Sequence, residues 1–103
     1  MRIASVRKTR GVLGLRRHRE TRRRAIELVE AEVARLRAGG PGDLRALAGE
    51  SPLVVDHEGV ELTTHVDPDG ERLLVLVEAQ GRRRTFATGG FVMHPDGTTY
   101  TPD

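Results

Sequence analysis

Several side chains of this sequence could bind a metal ion, but their spacing matches no known kind of metal site. The candidates are the four histidines: His18, His57, His65 and His94. A zinc site needs three or four converging ligands, whereas neighbours such as His57 and Glu58 point to opposite faces of a strand. The chain also has no cysteine. We therefore expect histidines exposed at turns, no metal site and no cofactor.

The sequence also contains no recognisable catalytic constellation. The residues that could line one sheet face are Asp56, His65 and Glu78. Ser5 and Ser51, the two serines, lie outside any nucleophile-elbow motif. The glycine-rich stretches at 39–42 and 89–90 lack the Lys-Ser/Thr of a phosphate-binding loop. Acid–base chemistry needs a positioned group in a shielded cleft. The sequence thus predicts a protein that is not an enzyme.

Positive charge is concentrated at the start of the chain. Residues 1–24 contain ten basic side chains and one acid, a net charge of +9. Residues 25–103 contain seven arginines and fourteen acids, a net charge of −7. An asymmetry of this size is typical of a segment that meets an anionic partner. The residues predicted to contact a polyanion are Arg7, Lys8, Arg10, Arg16, Arg17, Arg19, Arg22, Arg23 and Arg24.

We expect residues 1–24 to form a flexible basic arm, because the segment has little apolar periodicity. Arginines neutralise phosphates in a salt-dependent way, so nucleic acid is the expected partner. The arm has no aromatic residue, and base stacking is therefore not implied. Two other interpretations stay open: a tail that only adds solubility, or an extension that precedes the true start codon. Arg82-Arg83-Arg84 either extends the basic patch or pairs with acids on a neighbouring strand.

Behind the arm, the apolar spacing predicts one long helix and a short one. Thr21 is a suitable cap for a helix over residues 22–37. The apolar residues that share one face of it are Ala25, Ile26, Leu28, Val29, Val33 and Leu36. Gly39-Gly40-Pro41-Gly42 predicts the end of that helix. Asp43 would then cap a second helix, Leu44–Ala48.

From Ser51 onward the pattern changes to short strands linked by tight turns. Val60–Val66 alternates apolar and polar residues, as in a half-buried strand. Leu73–Val77 is apolar at every position, which predicts a central strand covered on both sides. The remaining predicted strands are Leu53–Val55, Arg82–Thr88, Phe91–Met93 and a short edge strand at Thr98–Thr101. Strands joined by tight turns are antiparallel neighbours.

Together these elements predict a single α+β domain over residues 25–103. It consists of one long N-terminal helix plus a short helix, packed on a four- to five-stranded antiparallel meander sheet. No apolar run approaches the roughly 20 residues of a membrane span. No apolar stretch of signal-peptide length follows the basic start, so a cytoplasmic location is the expectation.

The C-terminal two thirds of the sequence, residues 39–103, carry a recognisable pattern. Gly42-Asp43-Leu44 is followed by the strands Val60–Val66 and Leu73–Val77 and by a closing Phe91-Val92-Met93-His94-Pro95-Asp96-Gly97. The pattern resembles a group of small bacterial proteins that close on Phe-x-Met-x-Pro-Asp-Gly. The resemblance implies an α+β fold of this order and implies no activity. The order of elements is also similar to cystatin-like and truncated NTF2-like folds, an analogy of fold alone.

Three functional hypotheses follow from the sequence. The first is a non-catalytic binding protein whose arm contacts a polyanion and whose α+β body contacts a partner. The second is an adaptor or immunity-like protein with an incidental arm, and the third a small cystatin-like or NTF2-like domain with a ligand pocket. The residues predicted to bind a protein partner are Thr63, His65, Asp67 and Tyr100. The oligomeric state stays open at this point.

Overall fold

The computed structural model describes residues 2–81 and 84–102, with side chains from residue 19 onward. One helix precedes an antiparallel sheet of five strands. The elements are α1 (Arg2–Ala48), β1 (Leu53–His57), β2 (Val60–Asp69), β3 (Arg72–Gln80), β4 (Thr85–Met93) and β5 (Thr99–Tyr100). The predicted α+β class with an antiparallel meander is thereby confirmed.

The helix is longer than the sequence pattern predicted. A start near Thr21 was expected, but α1 begins at Arg2, so its helical backbone includes most of residues 1–24. The missing apolar periodicity was a poor guide because arginine, the most frequent residue of this segment, is itself a strong helix former. The division into residues 1–24 and residues 25–103 stays a prediction.

The separate second helix predicted at Leu44–Ala48 is not found, because these residues are the last part of α1. Gly40 alone leaves helical geometry, with φ 82° and ψ 169°. Pro41 follows at once with a φ that suits the first position of a helical turn. The glycine-rich segment therefore kinks α1 and does not end it.

Each strand pairs with its successor along the chain, in the order β1-β2-β3-β4-β5. The β1–β2 hairpin turns at Glu58-Gly59, where both residues have positive φ, as in a type I′ turn. Asp67-Pro68-Asp69-Gly70 has the composition of a turn, but the chain reverses only after Asp69, because Pro68 lies inside β2 opposite Leu73. Proline is tolerated there because β1 begins opposite Thr64 and does not reach Pro68.

The core lies between α1 and one face of the sheet. From the helix, Ala25, Val29, Leu36 and Leu44 are buried. From the sheet, the buried residues on this face are Val60, Leu62, Thr64, Val66, Leu73, Val75, Val77, Ala79, Phe91 and Met93. Gly89 allows the helix to approach β4, since a Cβ atom there would lie 2.8 Å from Val29 Cγ1.

The opposite sheet face corrects the prediction that the central strand is covered on both sides. Leu74 and Leu76 of β3 point away from α1 and are 39% and 41% exposed. No helix of the described chain lies over this face. Both residues are therefore apolar without belonging to the core.

Candidate interaction surfaces

The basic surface of α1 is described from Arg19 onward. Arg19, Arg22 and Arg23 are exposed. Arg24 contacts the folded body, because its Nη1 lies 2.8 Å from Glu58 Oε2 in the β1–β2 turn. The side chains of Arg7, Lys8, Arg10, Arg16 and Arg17 lie outside the described part, as do Arg82 and Arg83. The basic segment thus has a helical backbone. One of its arginines, Arg24, contacts the folded body.

The four residues predicted to bind a protein partner lie on the outer sheet face, the face turned away from α1. Thr63, His65 and Asp67 alternate along β2 and share this face. Tyr100 lies in the same row as Asp67, reached through Leu74 and Val92. Three strand spacings, about 14 Å, separate the two ends of that row. The sheet therefore places all four on one surface without bringing them into a single cluster.

The four residues differ in their accessibility. Asp67 is exposed, and Tyr100 is 41% exposed at the sheet edge. Thr63 is buried, since it lies between Val54 of β1 and Glu78 of β3. Thr63 thus packs within the sheet and offers little area to a partner.

His65 faces a carboxylate on the next strand. Its Nε2 lies 3.8 Å from Glu78 Oε1, and Glu78 Oε2 accepts a hydrogen bond of 2.7 Å from Gln80 Nε2. The three side chains form a polar row beside the exposed leucines. No group of three or more ligand-type side chains that could hold a metal ion occurs among the described residues.

A second polar cluster fixes the Tyr100 end of the face. Arg72 donates to Asp69 Oδ2 at 2.7 Å and to the Tyr100 hydroxyl at 3.1 Å. These contacts raise the pKa of Arg72, chiefly through the hydrogen bond to Asp69 and then through Tyr100. The Tyr100 ring also stacks on His94, with 5.4 Å between centroids. The Tyr100 side chain is thus held by Arg72, beside the β2–β3 turn, and by His94, beside the β4–β5 turn.

Sequence reasoning missed the apolar part of the outer face. Leu74 and Leu76 were assigned to the core, and Val54, which is 56% exposed, was assigned to no surface. The number of predicted layers was a signal for this exposed face. A single layer of helix covers only one face of a sheet. Every second residue of an all-apolar strand must then be exposed.

A groove separates the flank of α1 from β4. Its volume is about 1130 Å³, and it runs past Arg22, Ile26 and Glu30 towards Arg37. At its far end the Arg37 guanidinium lies 5.1 Å from the centroid of the Phe91 ring. Its Nη2 also donates to Thr101 Oγ1 at 2.5 Å. Ile26 is 41% exposed here, so the predicted core position proves to be a groove residue.

Comparison of the chain with protein families, with curated proteins and with solved structures finds no match in any of the three. Over the described part of the chain, no helix combines the length and the apolar character that a membrane span requires.

Proposed function

We propose that this protein is a non-catalytic binding protein in which the basic part of α1 contacts a polyanion, with nucleic acid the expected class. The observation that supports the proposal most strongly is the net charge of +9 within residues 1–24. The remaining chain carries −7, so the positive charge is local. A polyanion would approach the arm and be repelled by the body.

Helical backbone strengthens this proposal. A segment that is already helical loses less conformational entropy on binding than a disordered one does. The four described arginines of the segment occupy positions 19, 22, 23 and 24. At 3.6 residues per turn, Arg19 and Arg23 share a face, and both are exposed. They therefore present two guanidinium groups to the same side of the helix.

For the α+β body we propose a protein partner at the outer sheet face. Leu74, Leu76 and Tyr100 supply its exposed apolar area, and Asp67 and His65 supply polar groups beside it. An apolar centre with a polar rim is the usual composition of such an interface. Under this proposal the arm holds one partner while the body recruits the other.

The polyanion proposal predicts a salt-dependent affinity that depends on arm arginines. Binding of a fluorescent 20-base-pair DNA duplex is measured by anisotropy between about 50 and 200 mM salt. R19Q/R23Q should weaken binding and reduce the slope of log K against log salt by roughly two, about 0.9 for each lost phosphate contact. R35Q/R45Q changes the net charge equally but lies beyond the arm, and it should leave the slope unaltered.

Two results would contradict the proposal: no measurable binding by the natural chain at low salt, or an equal loss in the two double variants. The second candidate function, an adaptor that acts through the body alone, is favoured by the exposed Leu74 and Leu76. It predicts that L74E/L76E loses a co-purifying protein that R19Q/R23Q retains. The third, a ligand pocket between helix and sheet, is supported by the open groove beside β4 and by a smaller one between α1 and β1.

A further inference from the structure

The outer sheet face has no helix layer, although its central strand has the composition of a strand covered on both sides. Leu74 and Leu76 of β3 point to this face and are exposed. Strands that are apolar at every position are typical of sheets with helices on both faces. Within the described part of the chain, α1 covers the inner face only. The outer face therefore lacks one layer, which a helix from another molecule could supply.

Negative charge is concentrated on this same face. Side chains alternate along each strand, and the acids that this alternation directs outward are Asp56, Glu61, Asp67, Asp69 and Glu78. Among the described side chains of the face, only Arg72 is basic, so its net charge is −4. Residues 25–48 of α1 have a net charge of only −1. A partner of the outer face should accordingly be cationic.

Two of these acids repel each other. Asp56 of β1 and Glu61 of β2 lie directly opposite one another, and both are exposed. Like charges in this arrangement destabilise a sheet. Asp56 Oδ1 accepts a bond of 3.3 Å from Gly59 N, but neither carboxylate forms an ion pair with a described residue. A cation from another molecule would relieve this repulsion.

The direction of α1 keeps its own basic segment away from the outer face. Arg24 contacts Glu58 in the β1–β2 turn. Further along α1, Pro41 lies beside the β4–β5 turn at the opposite end of the sheet, where a Cβ atom at Gly97 would be 3.7 Å from Pro41 Cδ. The helix thus runs along the strands on the inner face, and the residues before Arg24 continue past the end of the sheet. They can reach an outer face only on another molecule.

From these features we infer that the outer face binds the arm, residues 1–24, of a second copy of this chain. A two-fold axis lies in the plane of the sheet, perpendicular to the strands and next to the β1–β2 turn. It carries each α1 from the inner face of its own sheet to the outer face of the other sheet, at the same distance. Each sheet then lies between its own helix and the arm of the other copy, in a closed two-fold interface.

The arm and the outer face agree in length and in charge. Helical residues 2–24 span about 34 Å at 1.5 Å per residue. The ten residues of β2 span about 33 Å at 3.3 Å per residue. The arm carries a net charge of +9 against −4 on the face. Long arginine stems cover apolar surface while their guanidinium groups remain in water, so they suit Leu74 and Leu76 between flanking acids.

This arrangement brings particular charges together. The part of the arm nearest its own body lies closest to the axis, and there Arg19 and Arg23 are exposed on one side of the helix. Asp56 and Glu61 flank the β1–β2 turn, next to the same axis. The two arginines of one copy therefore face the two acids of the other.

The inference rests on the proposed protein contact of the outer face and names the partner as a second copy. The arm cannot hold a polyanion and the outer face of the other copy at once. Nucleic acid would thus compete with the dimer, and self-association is expected without any nucleic acid present.

The experiment is sedimentation velocity over a concentration series at low salt, with far-UV circular dichroism to verify folding. The natural chain should shift from 11.3 kDa to twice that mass. R19E/R23E and D56R/E61R should each raise the dissociation constant at least tenfold, because each arm then meets a face of its own charge. An equimolar mixture of the two variants should dimerise again, since both contacts then join opposite charges.

E27R/E50R is the matched control. It changes the net charge as much as D56R/E61R does, at exposed positions outside the outer face, and it should dimerise like the natural chain. D67R replaces D56R/E61R if that variant fails to fold. Asp67 is exposed on the same face, and its reversal should raise the dissociation constant about tenfold.

Three results would overturn the inference: a monomeric natural chain at every concentration, a dimer that R19E/R23E does not weaken, or a mixture of folded variants that stays monomeric. A monomeric chain that still binds the DNA duplex would leave the polyanion proposal standing and assign the outer face to a different protein. A dimer whose natural chain binds no DNA would contradict the polyanion proposal alone and support the contact between copies.

Discussion

At the residue scale, the best-defined electrostatic feature is the turn between β4 and β5. Asp96 Oδ1 accepts hydrogen bonds from Thr98 Oγ1 at 2.6 Å and from Thr98 N at 2.9 Å. These bonds to the charged form lower the pKa of Asp96, with Thr98 Oγ1 the largest cause. Pro95-Asp96-Gly97 is typical of such a turn, because aspartate commonly bonds to the backbone two residues on.

The sign of the Asp96 shift predicts how stability changes with pH. A carboxyl group whose pKa is lowered by folding stabilises the native state above its ordinary pKa near 3.8. That stabilisation disappears as the pH falls through the lowered value. D96N retains an acceptor but loses the charge, so it should be less stable than the natural chain at pH 7 and nearly equal to it at the acidic end of a thermal unfolding series.

Asp67→Asn is the control for this measurement. Asp67 is exposed, and in the described part of the chain its carboxylate accepts no hydrogen bond. A deficit of D96N that stays constant between pH 7 and pH 3 would contradict the prediction, because it would show a loss of turn geometry and not of charge.

At the element scale, the kink in α1 determines where its last part packs. Gly40 has a backbone conformation that is almost confined to glycine. The residues after it carry Leu44, which is 1% exposed, into the core. The composition predicted a helix end at this position, whereas the structure shows a break at Gly40 within a helix that continues to Ala48. The sequence pattern could not show that the break lasts only one residue. The length of the break depends on where Leu44 packs in the core, which is a feature of the tertiary structure.

We expect G40A to lower the free energy of unfolding by about 1–3 kcal/mol, the usual cost of a strained backbone conformation. Nothing lies near enough to Gly40 for a methyl group to clash, so the cost is conformational. G42A is the matched control: it lies two residues on, in helical geometry and open space, and should stabilise by up to about 1 kcal/mol.

Urea unfolding of both variants provides the measurement. Equal gains in stability for G40A and G42A would show that α1 can straighten without loss of the Leu44 contact, and the kink would then have no role in packing.

At the scale of the whole molecule, charge and packing divide the chain at nearly the same place. Among the described side chains of α1, burial begins at Ala25, one residue after the basic segment ends. The first part of the helix thus carries the charge and the later part carries the core. The division between residues 1–24 and residues 25–103 stays a prediction, and truncation of the chain can test it.

Removal of residues 1–18 should therefore change the free energy of unfolding by no more than about 0.5 kcal/mol, the range typical of surface changes. It should abolish most of the affinity for DNA at the same time, because six of the ten basic residues are lost. Urea unfolding and the anisotropy assay measure the two effects. A loss of several kcal/mol would show instead that the segment belongs to the core.

The sequence by itself determined the order of helix and strands, their antiparallel pairing and the charge division, because these depend on residues close together in the chain. Thr63, His65 and Asp67 were correctly placed on one strand face by their alternation. Only the tertiary structure decided that the outer face is uncovered, that Thr63 is buried and that Ile26 borders a groove. These depend on how many layers pack together and where each ends, which local patterns do not encode.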